Sequence, residues 1–156
     1  TVEWTPPSDG PERPCVRVLR ADGTDTGIAF HGVPGGHEFN SFVVGLYNAA
    51  GPGQSIDPAL AEAIAAIDRP LDLQIVVALS CTMCPELVIA AQKIAASNPL
   101  VTAKVYDVNH FPELRERYKI MSVPCLIINK AKVAFGKKTL GQLLELLAEP
   151  EAGQTG

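Results

Sequence analysis

The sequence predicts an α/β chain, and three observations carry that reading. An apolar run, Leu73–Leu79, leads straight into Cys81-Thr82-Met83-Cys84 and then into a stripe of helical period. The second half as a whole alternates in the order β-α-β-α-β-β-α. The first half shows only the closing part of that order, a ββα segment over Val16–Ala50 that mirrors ββα over Cys125–Leu147.

Size and charge bound the rest. The chain has 156 residues, 47% of them hydrophobic, enough to bury a core. Its formal net charge of -4 argues against a nucleic-acid partner, which selects a basic face. No apolar run approaches the ~20 residues that cross a bilayer, so no membrane partner is expected. The chain starts at Thr1, without Met and without a basic region followed by an apolar stretch, as a fragment or processed form would. Its four cysteines are too sparse for a disulfide scaffold and fit a reducing, cytoplasmic setting with one functional pair.

Residues 1–14 are rich in Pro, Gly and charge and read as irregular. Val16–Leu19 and Ile28–His31 flank the turn signal Asp22–Gly23 and predict a hairpin. After the breaker at 32–36, Phe39, Phe42, Val43, Leu46, Tyr47 and Ala50 recur at helical spacing and predict one inward apolar stripe. Asp57–Pro58 is a helix start, with Leu60, Ala63, Ile64 and Ile67 on one face. Leu73–Leu79 reads as a strand buried on both faces. The next helix turns Leu87, Val88, Ala91, Ile94 and Ala95 inward. Val101–Val108 is a strand, Phe111–Tyr118 a short helix, Cys125–Ile128 and Lys132–Phe135 a second hairpin. Leu140, Leu143, Leu144 and Leu147 stripe the last helix, and 149–156 is a tail or linker start. The βαβ units favour parallel strands with right-handed crossovers. The order of the second half is that of a thioredoxin fold.

Cys81 and Cys84 carry the chemistry. Two cysteines three apart in the first turn of a helix lie within disulfide reach. Unpaired N–H groups and the helix dipole stabilise a thiolate on the first and hold its pKa below the unperturbed ~8.5. The thiolate is the attacking species, so Cys81 is the expected nucleophile and Cys84 the resolving thiol. A zinc site is the rival reading, but a structural site wants four ligands, and only scattered Cys15, Cys125, His31, His37 and His110 remain. Two plain buried cysteines are the other. Pro124, after Val123, suits the cis-proline that packs against CxxC in such folds; the plain alternative is a trans proline opening a strand. Cys125 follows on a core strand, where it either approaches Cys84 or fills space as a small apolar residue.

Together the segments GVPGGHEFNSFVVGL (32–46), LSCTMCPELV (79–88), MSVPCLIIN (121–129) and FGKKTL (135–140) resemble the N-terminal domain of the flavoprotein subunit of alkyl hydroperoxide reductase, or of a related thioredoxin-reductase fusion. The resemblance covers residues 16–148. It implies two fused thioredoxin-like folds: a truncated first one lacking CxxC (1–70, with Thr1–Thr5 as its second strand) and a complete second one carrying it (71–148). It implies a thiol–disulfide oxidoreductase that passes electrons from a flavoprotein reductase domain, fused or separate, to a peroxiredoxin or other disulfide acceptor. No GxGxxG is present, so FAD and NAD(P)H are expected only in the associated reductase domain and no cofactor in this chain beyond the Cys81–Cys84 disulfide. The resemblance also places Glu38 beside CxxC. A carboxyl there would carry the proton that moves when Cys84 attacks or leaves. Glu86 points to solvent, and Asp72 precedes its strand and comes too early to compete. The plain reading of Glu38 is a first-turn acid stabilised by the helix dipole, and of His37 a solvent-facing or capping residue. Competing functions are a stand-alone glutaredoxin-like reductase using glutathione and a degenerate docking module; the latter has no need of both sulfurs.

Overall fold

The computed structural model describes residues 12–150. The proposed strand at Thr1–Thr5 and the end of the tail lie outside the described residues. The elements run β1 (Cys15–Leu19), β2 (Asp25–His31), α1 (Glu38–Ala50), α2 (Pro58–Ala65), β3 (Leu71–Val77), α3 (Cys84–Ser97), β4 (Val101–Asp107), α4 (Glu113–Arg117), β5 (Cys125–Ile128), β6 (Lys132–Phe135) and α5 (Leu140–Ala148).

The six strands among the described residues join one sheet in the order β1-β2-β4-β3-β5-β6. β3 and β4 are parallel across α3, as a βαβ unit requires. β2 adds parallel to the outer side of β4 through Ile28↔Ala103 and Phe30↔Val105. The expectation of a second parallel unit fails: the chain crosses over α4 and delivers β5 antiparallel to β3. The two antiparallel hairpins, β1-β2 and β5-β6, thus close opposite edges of the sheet. α1 and α5 both pack against α3.

β3 is apolar throughout because both faces are covered. Leu73, Ile75 and Val77 face α3 with Leu87, Ala91, Ile94 and Leu143. Val76 faces the other way, with Tyr106, Phe111, Leu114, Ile120 and Ile127. Local signals start two of the helices: at the Asp57 cap read from the sequence, Oδ1 accepts from the Ala59 N–H at 2.8 Å, and at α5 Thr139 with Gln142 forms a capping box that the sequence reading did not single out. On α2 Ile64 is buried and Leu60 partly so, but Ala63 is exposed; Ile67, expected on the same face, lies just past the helix end and is partly buried.

α1 overturns its sequence reading. Phe39 is 61% exposed, Tyr47 47% and Val43 43%, while Glu38, Ser41, Gly45 and Asn48 face inward. Only Phe42 and Ala49 of the apolar residues lie against the core. The reason is the proximity of α3. A Cβ added at Gly45 would sit 2.6 Å from Gln92 Oε1, so the helices approach too closely for a Phe or Leu between them. Periodicity finds two faces on a helix; it does not say which one the neighbour takes.

Candidate redox site

β3 stops at Val77, and a short loop brings the chain to the start of α3, where the Cys81 N–H donates to the Ala78 carbonyl at 3.0 Å. α3 begins at Cys84, with Pro85 behind it at a position whose N–H would have no intrahelical partner. Cys81 therefore precedes the helix and is not in its first turn, a correction to the sequence reading. The disulfide it forms with Cys84, Cα to Cα 5.6 Å, still holds its sulfur at the helix start. The two sulfurs are not equivalent. Cys84 is wholly buried; Cys81 is partly exposed. An attacking thiol must be reached by a partner, and a resolving thiol needs only its neighbour.

The loop before β5 closes the site from the other side. The Val123–Pro124 peptide is cis, Pro124 is buried, and the Val123 carbonyl lies 3.9 Å from Cys81 Sγ. Met83, between the two cysteines, is 50% exposed, and Met121, two residues before Val123 in that loop, is 87% exposed.

Glu38 is the first residue of α1 and is completely buried. The Ser41 hydroxyl donates to its carboxylate, and Oε1 has no hydrogen-bond partner. Burial pushes its pKa above the ordinary carboxylate range, against a smaller opposing effect of the Ser41 hydroxyl. Its height along α3 follows from three anchors. The His37 N–H donates to the Leu79 carbonyl at 3.0 Å, Gly45 lies against Gln92, and Gly53 lies against Lys93. The helices therefore run in the same sense from the same end. Glu38 is about 10 Å above the Gly45–Gln92 contact and Cys84 about 12 Å above it, which sets the two at one level.

The other candidates fall away from the disulfide. Cys125 does not approach Cys84: it packs with Val76 and Ile127 on the opposite face of the sheet, and burial pushes its thiol up to about 11. Glu86 is exposed. Asp72 Oδ1 accepts from the Thr102 hydroxyl at 3.0 Å, with Lys104 Nζ at 3.6 Å. His37 is exposed and its ring caps nothing. His31 is buried and stacked on Tyr106 at 4.2 Å, with Cys15 Sγ 3.8 Å from Nε2. Among the described residues no group of three or more His, Cys, Asp or Glu is placed to hold a metal ion. Sequence reasoning missed Ser41 and Gln92; the one available signal was Gly45, a small residue inside an otherwise bulky helix.

A thioredoxin domain model matches residues 71–148. The chain belongs to the thioredoxin domain family. It is 42% identical to the N-terminal domain of the alkyl hydroperoxide reductase AhpF from Enterococcus faecalis, with a TM-score of 0.84 over 88% of this chain and 66% of that one. It is 33% identical to the corresponding alkyl hydroperoxide reductase protein of Pseudomonas aeruginosa over 86% of this chain. That alignment takes in 25% of the relative, so the chain spans about a quarter of the length of such relatives. A protein disulfide oxidoreductase from Aeropyrum pernix shares the fold at a TM-score of 0.75. As a member of this family with a CxxC disulfide in place, the chain is a thioredoxin-fold thiol–disulfide oxidoreductase module related to the N-terminal domain of AhpF.

Proposed function

We propose that the chain passes two electrons by dithiol–disulfide exchange from a flavoprotein reductase domain, fused or separate, to a peroxiredoxin-type acceptor, in the cytoplasm. Residues 1–70 serve as the partial first fold, 71–148 as the catalytic one, and 149–156 as tail or linker. FAD and NAD(P)H belong to the reductase domain. The observation that carries this reading is the asymmetry of the disulfide: Cys81 is reachable and Cys84 is sealed.

In the reduced form the Cys81 thiolate attacks one sulfur of the acceptor disulfide, and the leaving thiolate takes a proton from water. The Cys84 thiol gives its proton to the Glu38 carboxylate and attacks Cys81 Sγ. That closes the Cys81–Cys84 disulfide and expels the acceptor's second thiolate, so the acceptor is reduced and the module oxidised by two electrons. Reloading runs in reverse. A reductase dithiol attacks Cys81, Cys84 leaves as thiolate and recovers its proton from Glu38. Pro124 shapes the contact beside Cys81.

The test mixes pre-reduced protein with an oxidised peroxiredoxin, with insulin and with a glutathione mixed disulfide. Peroxiredoxin reduction is expected to be the fastest. Preference for the glutathione adduct would make the module glutaredoxin-like, and no turnover of any of the three would leave a docking role.

A further inference from the structure

The polar side of α1 faces its neighbour helix and its apolar side faces solvent. Burying polar groups costs free energy unless they are bonded, and the close approach of α3 asks for small residues there, not for polar ones. The polar groups continue onto α3. Gln92 is fully buried with neither amide atom hydrogen-bonded, and Glu38 Oε1 is in the same condition. Gly45 makes the room: a Cβ there would lie 2.6 Å from Gln92 Oε1 and 3.1 Å from Nε2. One turn toward the disulfide, Ser41 donates to Glu38. One turn the other way, Asn48 Nδ2 donates to Gln54 Oε1 at 2.9 Å, and Asn48 Oδ1 accepts the Gln54 N–H at 2.8 Å. Gln54 is exposed. A file of polar side chains thus descends about 15 Å along α1 from Glu38 to the surface.

We propose that this file is the proton path between Glu38 and bulk water, with Gln92 as the positioning residue at its midpoint. The inference rests on the role proposed for Glu38 as proton carrier. Glu38 and Cys84 are both sealed from solvent, so for Glu38 to equilibrate with bulk water between half-cycles the proton needs a route through the protein. A carboxamide donates and accepts at once, and this one has both capacities free. The balance is simple: ring closure moves the Cys84 proton to Glu38, the file carries it to water, and reduction draws one back. No electrons travel along it.

Charged groups do not set the titration of Glu38. Among the elements packed on α1, α3 carries Glu86, which is exposed, and Lys93, whose Nζ lies by Gly53 at the far end. β2 carries Asp25, paired with Arg17, and His31, stacked on Tyr106 on the other sheet face. His37 on the preceding loop is exposed.

The experiment uses Gln92→Leu and Gln92→Met, which fill the space without an amide, beside Glu38→Gln. Ring closure after mixing with a small aromatic disulfide is followed against pH in H2O and D2O, and Glu38 is titrated by its infrared carboxyl band. The Gln92 variants should slow ring closure on the order of tenfold, enlarge the solvent isotope effect and raise the Glu38 titration further, with melting temperature held or increased. If either variant folds with ring closure and Glu38 titration unchanged while Glu38→Gln removes a limb of the pH profile, the path is overturned and Glu38 stands. If Glu38→Gln leaves the profile intact, the proton-carrier reading falls and the path with it.

Discussion

The backbone N–H of His37 donates to the carbonyl of Leu79 at 3.0 Å, tying the start of α1 to the loop two residues before Cys81. Gly36 permits the approach. Its φ is +53, and a Cβ there would lie 2.6 Å from the Leu79 carbonyl oxygen. The first half of the chain thereby delivers a carboxyl to the level of a cysteine that belongs to the second.

Gly36→Ala should therefore be costly. It combines a left-handed backbone with a clash against another backbone, neither of which a side-chain rotation relieves. A loss of about 1–3 kcal/mol is expected in denaturant unfolding, with slower ring closure as Glu38 shifts. An unchanged midpoint would mean the loop relaxes freely.

The two cysteines should separate cleanly. Cys81→Ser should abolish exchange, whereas Cys84→Ser should accumulate a mixed disulfide on Cys81, because the buried partner that resolves it is gone. Peptide mapping of the trapped adduct checks this, and an adduct on Cys84 would reverse the roles.

Glu38 has a stability signature distinct from its rate signature. Its folded pKa is raised above the ordinary 4.5, so between these values the native state binds more protons than the unfolded one. Its contribution is therefore most favourable at low pH and is lost as pH rises from about 4.5 through the folded pKa. Glu38→Gln should flatten that decline, and unfolding midpoints measured from pH 4 to 8 should show variant and parent diverging only in the upper part. In the same variant ring closure should slow on the order of tenfold and the pH–rate profile lose one limb.

Cys125 should be chemically silent. With its thiol pushed up to about 11 by burial on the face opposite Cys84, it should resist alkylation at neutral pH in the folded, reduced protein. Cys125→Ala should leave turnover within about twofold. Rapid labelling of Cys125 by iodoacetamide would contradict its burial.

The sequence by itself determined the elements and the chemistry. Alternation, apolar runs and turn residues are local signals, and they located β5, β6, the α2 start and the α5 stripe because each depends on neighbours within a few positions. The CxxC spacing, with the segments around it, named the redox pair without any tertiary information. The tertiary structure alone decided which face of α1 is buried, that β5 turns antiparallel, that Cys125 and Cys84 lie on opposite sides of the sheet, and that Glu38, Ser41, Gly45 and Gln92 share one seam. Each of these is a relation between distant segments. A helix with one apolar and one polar face satisfies the periodicity either way round. Only the close approach of α3, set by Gly45 and by the anchor at Leu79, selects the small polar face for the interior and leaves the aromatic one in water.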